Sequence, residues 1–182
     1  MNTKHLEISG RKLVVIDNAY DYSFVVNTEH FALESYYKVT GSDYGDGRVS
    51  TFTGSYNLCS LYSHDDVNTL GVLTKNEEVK KLVNGRMPVS TKVHLLRPHD
   101  ICAPHIDGNF ETMLYYVNAK WDVVSGGATL FFNPEVTEVM YTSLFVPNRV
   151  LWFDGTIPHM GTPPTAASKH PRLVLAMHFE KQ

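Results

Sequence analysis

The sequence predicts a mostly β fold: a double-stranded β-helix, or jelly-roll, core with a helical buttress, the helices lying mainly in the N-terminal half. Three observations carry this expectation. From Pro88 onward, short apolar and aromatic runs recur at roughly 8–14-residue spacing, separated by Gly, Pro, Asn and Asp. Two helix signals precede them. The composition, 43% hydrophobic with ten Tyr and nine Phe, is rich in residues that suit a half-buried pleated surface. A length of 182 residues fits one domain with a real core. Residues 1–87 read as a helical and loop region, and residues 88–182 as the jelly-roll.

The elements follow in order. Leu13-Val14-Val15-Ile16, closed by Asp17-Asn18, reads as a strand. Thr28 is a cap candidate for a helix over residues 29–39. Gly41 to Gly47 is loop by composition, and residues 48–63 suit strand or loop. Residues 40–75 as a whole supply flanking loops and a candidate lid. Asn76 to Val83 carries helix punctuation: Asn76 as cap, Glu77 and Glu78 in the first turn, Lys80 and Lys81 in the last, Asn84-Gly85 as the stop. Strands are expected at 89–96, 111–118, 128–132, 141–146, 150–153 and 172–179. Ser125-Gly126-Gly127 reads as a turn or bulge. Pro147-Asn148-Arg149 reads as a tight hairpin turn joining two of these strands.

Charge and cysteine content narrow the function classes. The formal charge is −3 and no basic block stands out, so nucleic acid gains no electrostatic support as a partner. Cys59 and Cys102 are the two cysteines, in no metal-like spacing, which disfavours a disulfide framework and favours a reducing compartment. The N-terminal residues lack the apolar core of a signal peptide. No run approaches the roughly 20 apolar residues that span a bilayer. The expectation is a cytoplasmic protein with no membrane partner, acting as a monomer or homodimer.

The chemistry centres on Pro104-His105-Ile106-Asp107-Gly108. In an extended segment, positions i and i+2 point to the same side, so His105 and Asp107 are able to share one metal ion. His159 lies 52 residues beyond Asp107, and Arg172, at the head of an apolar run, 13 beyond that. Two imidazoles and one carboxylate on one face of a metal leave the opposite face open, the ligand set of non-haem Fe(II) oxygenases. A lone His-x-Asp pair among nine histidines says little. Order and surroundings say more: a Tyr-rich strand, a Gly pair before a strand, then His, then Arg.

That ordered set resembles the Fe(II)/2-oxoglutarate-dependent oxygenase superfamily, in particular its prolyl 4-hydroxylase-like branch. The matching pieces are Pro104-His105-Ile106-Asp107, Leu114-Tyr115-Tyr116-Val117-Asn118 with Trp121, Ser125-Gly126-Gly127-Ala128-Thr129-Leu130, Trp152-Phe153-Asp154 before His159, and His170-Pro171-Arg172. They cover roughly residues 88–179. The resemblance implies that His105, Asp107 and His159 bind Fe(II) and that Arg172 holds the distal carboxylate of 2-oxoglutarate. A guanidinium offers that group a bidentate fork. It also implies a second hydrogen bond from Tyr116 and a pocket-floor contact from Thr129.

His178, six residues after Arg172, should face the same side of its strand and is a substrate-contact candidate. Arg97 and His94, on the strand feeding the metal motif, are further candidates. The implied co-substrates are 2-oxoglutarate and O2, with ascorbate as an auxiliary reductant. Residues 1–87 would then support the site and recognise substrate. Asp107 disfavours halogenation, whose enzymes in this superfamily replace that residue. His178 stands where the nucleic-acid demethylases carry a second Arg. The implied reaction is hydroxylation of an aliphatic carbon. The implied substrate is a prolyl residue in a peptide or protein, with a free amino acid or small metabolite as the alternative. Outside the class stands a non-catalytic jelly-roll binding module.

Overall fold

The computed structural model describes residues 2–41, 56–100 and 102–182. The strands among them are β1 (Asn2–Ile8), β2 (Arg11–Asp17), β3 (Lys38–Gly41), β4 (Tyr56–Leu61), β5 (Ser90–Leu96), β6 (Phe110–Tyr116), β7 (Thr129–Phe132), β8 (Val139–Ser143), β9 (Val150–Asp154), β10 (His159–Gly161) and β11 (Arg172–Glu180). The helices are α1 (Tyr22–Leu33), α2 (His64–Leu70) and α3 (Glu77–Val83). Eight strands form one sheet in the order β1-β2-β9-β6-β11-β5-β4-β3, and three form a second in the order β10-β7-β8. No helix among the described residues is long and apolar enough to cross a membrane.

The large sheet has two apolar faces because its strands alternate. On β11, Leu173, Leu175, Met177 and Phe179 face outward and pack with the helices through Phe24, Val79 and Val83, among others. Val174 and Ala176 face inward, toward Phe131 of the small sheet and Leu114, Leu151 and Phe153 of the large one. The inward face therefore looks into the space between the sheets. At the two ends of its β11 row stand Arg172 and His178, which confirms the shared side expected from their even spacing.

The strand pattern matches the mostly β, helix-buttressed expectation, and three details correct it. The first helix begins earlier than Thr28 and ends before residue 39. Asp21 caps it, accepting from the Phe24 backbone N–H at 2.8 Å. Thr28 lies buried within it, its hydroxyl donating to the Phe24 carbonyl one turn back. The second correction concerns Pro147-Asn148-Arg149. β8 pairs with β7 in the small sheet, while β9 pairs with β2 and β6 in the large one. The segment is thus a crossing between sheets. Asn148, with φ 62°, stitches it to the chain at residues 19–20 by three hydrogen bonds. The third is that residues 1–87 supply four strands to the large sheet, with β2 against β9 and β4 against β5, beside their helices.

The expected loop at 41–47 lies, beyond Gly41, outside the described residues, as does the part of 48–63 before Tyr56. The third helix follows its signals closely. Asn76 Oδ1 accepts from Val79 N–H at 2.9 Å, and Asn84 closes the helix in the left-handed region.

Candidate metal centre and anion pocket

A two-residue bridge joins the segment containing His105 to β10. His105 N–H donates to the His159 carbonyl and His159 N–H to the His105 carbonyl, both at 2.9 Å. The imidazoles are thereby set side by side, ring centroids 4.5 Å apart. Asp107 is fixed in turn by its N–H donating to the Gly155 carbonyl at 2.8 Å. Gly155 cannot carry a side chain there, because a Cβ would stand 2.8 Å from the Phe110 carbonyl oxygen.

The result is a group of three donors, His105, Asp107 and His159, whose ligand atoms all lie within 4.8 Å of one another. The Asp107 carboxylate is central: one oxygen is 3.7 Å from His105 Nε2, the other 3.4 Å from His159 Nε2. Donors at right angles around a first-row metal ion, with bonds of about 2.1 Å, stand about 3 Å apart, so the group would have to draw together to hold one. The far ring nitrogens are already committed. His105 Nδ1 lies 3.1 Å from the Ala103 carbonyl and His159 Nδ1 3.0 Å from that of Ile157. With Nδ1–H donating, Nε2 presents its lone pair toward the centre. Thr112 donates its hydroxyl to Asp107 at 2.6 Å and orients the carboxylate.

Electrostatics keep this set ready for a cation. Burial alone would raise the Asp107 pKa, but His159, His178 and His105 outweigh it and hold the carboxyl well below the usual range. Burial pushes His159 down to about 4, so its imidazole is neutral near pH 7. A carboxylate with neutral imidazoles is the protonation state that metal binding requires.

Arg172 forms a second polar centre. It is only 3% exposed. Its Nε donates to the Gly127 carbonyl at 2.7 Å and its Nη2 to Thr129 Oγ1 at 2.9 Å. Its guanidinium lies over the rings of Tyr116 and Phe145. Among the described residues no carboxylate pairs with it. Burial lowers its pKa, yet a guanidinium stays charged in a protein. The space beside it is held open by glycine, because a Cβ on Gly161 would stand 3.0 Å from Nη1. Tyr116 Oη is 2.7 Å from Thr129 Oγ1 and 3.2 Å from Ser143 Oγ. With Arg172 and Tyr116 both donating to it, the Thr129 hydroxyl has its own hydrogen left to give.

Tyr116, Thr129 and Arg172 thus lie together; the resemblance implied a hydrogen bond from Tyr116 to the co-substrate carboxylate, whereas here its hydroxyl donates to Thr129. His178 lies beside the metal group, its Nε2 3.5 Å from an Asp107 oxygen. Arg97 does not join it. Its guanidinium is 57% exposed and bound to Asp100 at 3.1 Å, closing the turn after β5. His94 lies on the inward face of β5, opposite Val174, and burial pushes its imidazole down to about 3. Thr112, Ser143 and Gly161 were not singled out from sequence. Gly161 follows His159 by two residues, and that spacing was the available signal.

No protein-family model matches the sequence, and no curated protein matches it. Solved structures do. A prolyl hydroxylase from Trichoplax adhaerens, in complex with a hypoxia inducible factor oxygen degradation domain peptide fragment, is 17% identical, with TM-score 0.64 over 92% of this chain and 83% of that one. A viral collagen prolyl hydroxylase from Paramecium Bursaria Chlorella virus-1 is 12% identical, with TM-score 0.64 over 97% of both chains. A non-heme alpha ketoglutarate dependent epimerase from nogalamycin biosynthesis is also 12% identical, with TM-score 0.63 over 93% of this chain and 77% of that one. The chain has the jelly-roll fold that these oxygenases share, prolyl hydroxylases among them.

Proposed function

We propose that this chain is an Fe(II)- and 2-oxoglutarate-dependent dioxygenase that hydroxylates an aliphatic carbon. The observation that carries the reading is Arg172. A buried cation is costly unless an opposite charge meets it, and here the described residues offer none. Its counterion is therefore a ligand. Gly161, beside the guanidinium, and His159, in the metal group, are alternate residues of β10. Their side-chain positions are about 7 Å apart on the same side. A five-carbon keto diacid spans such a gap, with one end toward the metal donors and the other at Arg172.

The residues fit both groups. His105, Asp107 and His159 would hold the metal from one side. Arg172 and Thr129 would hold the distal carboxylate, with Tyr116 keeping the Thr129 hydroxyl aimed. Bound Fe(II) and 2-oxoglutarate supply the oxidising chemistry, in which O2 is consumed, succinate and carbon dioxide form and the substrate gains a hydroxyl group. The chain's own part is to fix the donors, keep the His159 imidazole neutral and exclude water. Phe131 and Phe153 wall His159 on two sides, and Tyr116 and Phe145 stack at 4.5 Å beside the guanidinium.

For the primary substrate, the prolyl hydroxylase neighbours support a prolyl residue in a peptide or protein as the first class to test. A second reading, a free amino acid or small metabolite, is favoured by Lys92 and His94, polar residues of β5 opposite the inward-facing Ala176 and Val174. The test is anaerobic titration with Fe(II) and 2-oxoglutarate, followed by air and a succinate assay. The expected outcome is a weak visible charge-transfer band that needs both additions, and succinate that needs both as well. A folded protein that forms no such complex and no succinate would point instead to a non-catalytic binding module.

A further inference from the structure

Building on the oxygenase reading above, we propose that Lys92 and His94 form an anion-recognising subsite for the primary substrate, which places the substrate among carboxylate-bearing molecules. The placement follows from register. Lys92 is opposite Ala176 and His94 is opposite Val174 across β5 and β11. Facing residues of an antiparallel pair share a side. Ala176 and Val174 belong to the inward cluster, whereas Val93, between Lys92 and His94, belongs to the outward one. The two polar side chains therefore rise from the inward face. Arg172 and His178 stand at the two ends of the same β11 row, opposite Leu96 and Ser90, and His178 Nε2 is 3.5 Å from an Asp107 oxygen, so Lys92 and His94 lie between the two polar centres along this face.

Among the described residues Lys92 makes no ion pair or hydrogen bond, and the His94 ring has no hydrogen-bond partner. Both are partly covered, Lys92 included, unlike a lysine on an open surface. Ala176 contributes only a methyl group between Lys92 and the β6 side of the face, where Leu114 stands. A half-covered ammonium with an imidazole two residues away, above a small residue and near a metal group, fits one carboxylate. Lys92 supplies the charge and His94 a directed ring nitrogen. A wholly apolar prolyl-ring wall would need neither. The anion is either the carboxylate of a free acid or an acidic group on a peptide.

The test uses the full chain loaded with Zn(II) in place of Fe(II) and saturated with 2-oxoglutarate, so that Arg172 is engaged. The probes are acetate, butyrate and N-acetyl-L-proline, each against its own amide, together with a prolyl peptide carrying an acidic residue and its neutral counterpart. Binding is read from the NMR resonances of the Lys92 side chain and the His94 ring. At least one acid should bind about tenfold more tightly than its amide, the effect of one charge-assisted contact. That preference should disappear in Lys92→Gln and return in Lys92→Arg. Preference among the small acids identifies a free-acid substrate, and preference between the peptides alone identifies a peptide. Acids and amides that bind alike or leave Lys92 and His94 unperturbed would overturn the subsite, as would a preference that survives in Lys92→Gln. A wild-type protein that fails to take up 2-oxoglutarate would overturn the oxygenase reading itself, and the parallel 2-oxoglutarate titration separates the two failures.

Discussion

Two arginines lie against opposite faces of the large sheet, and they differ in what neutralises them. On the outward side, Arg86 lies over Trp152 and Phe179, donates to Glu111 at 2.6 Å and caps the Leu82, Val83 and Glu180 carbonyls. On the inward side, Arg172 lies over Tyr116 and Phe145 and meets one carbonyl and one hydroxyl, with no carboxylate among the described residues. The aromatic packing is alike and the electrostatics are not. Arg86 carries its counterion within the chain, so it serves the fold. Arg172 is more deeply buried and meets no carboxylate among the described residues, which is the basis for proposing that it serves a ligand.

The contrast breaks most completely if the metal group is removed. In Asp107→Ala or His105→Ala, 2-oxoglutarate loses the end that the metal would hold, and succinate formation should fall by roughly a thousandfold or more. Turnover retained by either variant would separate Arg172 from any metal-linked ligand. The next effect belongs to Arg172 itself. Arg172→Met should raise the 2-oxoglutarate KM by about 100-fold, the scale of two charge-assisted hydrogen bonds. The same variant should not lower the melting temperature of the ligand-free protein, because the cation it removes has no carboxylate partner among the described residues. An unchanged KM would take Arg172 out of the co-substrate site.

Arg86→Met should do the reverse. It leaves Glu111 without its cation, and Glu111 also accepts from Trp152 Nε1 at 3.1 Å. The Glu111 side chain is 26% exposed, so solvent screens part of the loss, and about 1–3 kcal/mol of unfolding free energy is expected. Urea unfolding measures it, and the 2-oxoglutarate KM should stay at the wild-type value. If Arg86→Met raises that KM while leaving stability alone, the division of labour between the two faces is wrong.

This division was legible in the sequence only on its inward side. His105, Asp107 and Arg172 stood out through their order around a Tyr-rich strand and a Gly pair, and through the family resemblance that this order carries, since a His-x-Asp pair alone says little. Arg86 lies after a helix stop, where a charged residue looks ordinary, and its aromatic partners come from distant strands. β1 went unread for a similar reason. Most of its positions are exposed, Lys4, His5 and Glu7 among them, so it has little apolar signal, and its pairing with β2 supplies the order. α2 did leave a signal, the Ser63–Asp66 capping box, within a stretch whose composition reads as loop. At Pro147-Asn148-Arg149 the turn chemistry was correctly seen, but composition does not say which sheet the next strand will join. β10 is three residues long and has no periodicity to read. Its existence follows from its pairing with β7.

The finest test of the comparison is Gly161→Ala, because it adds one methyl group and changes no charge. The new Cβ would stand 3.0 Å from Arg172 Nη1 and 3.3 Å from Cζ and Nη2, so the guanidinium has to shift by a few tenths of an ångström. Gly161 is not among the residues with positive φ, so alanine brings no backbone strain. It also removes freedom from the unfolded chain, worth roughly 0.4–1 kcal/mol in favour of the fold. Stability should therefore hold or rise slightly, while the 2-oxoglutarate KM rises about tenfold through the misplaced fork. A matching rise in the metal requirement would mean that the shift had reached His159, two residues away, and that the two polar centres move as one unit. A KM that does not move would mean that the acid does not enter between Gly161 and Arg172, and the counterion would have to approach the guanidinium from the Gly127 side.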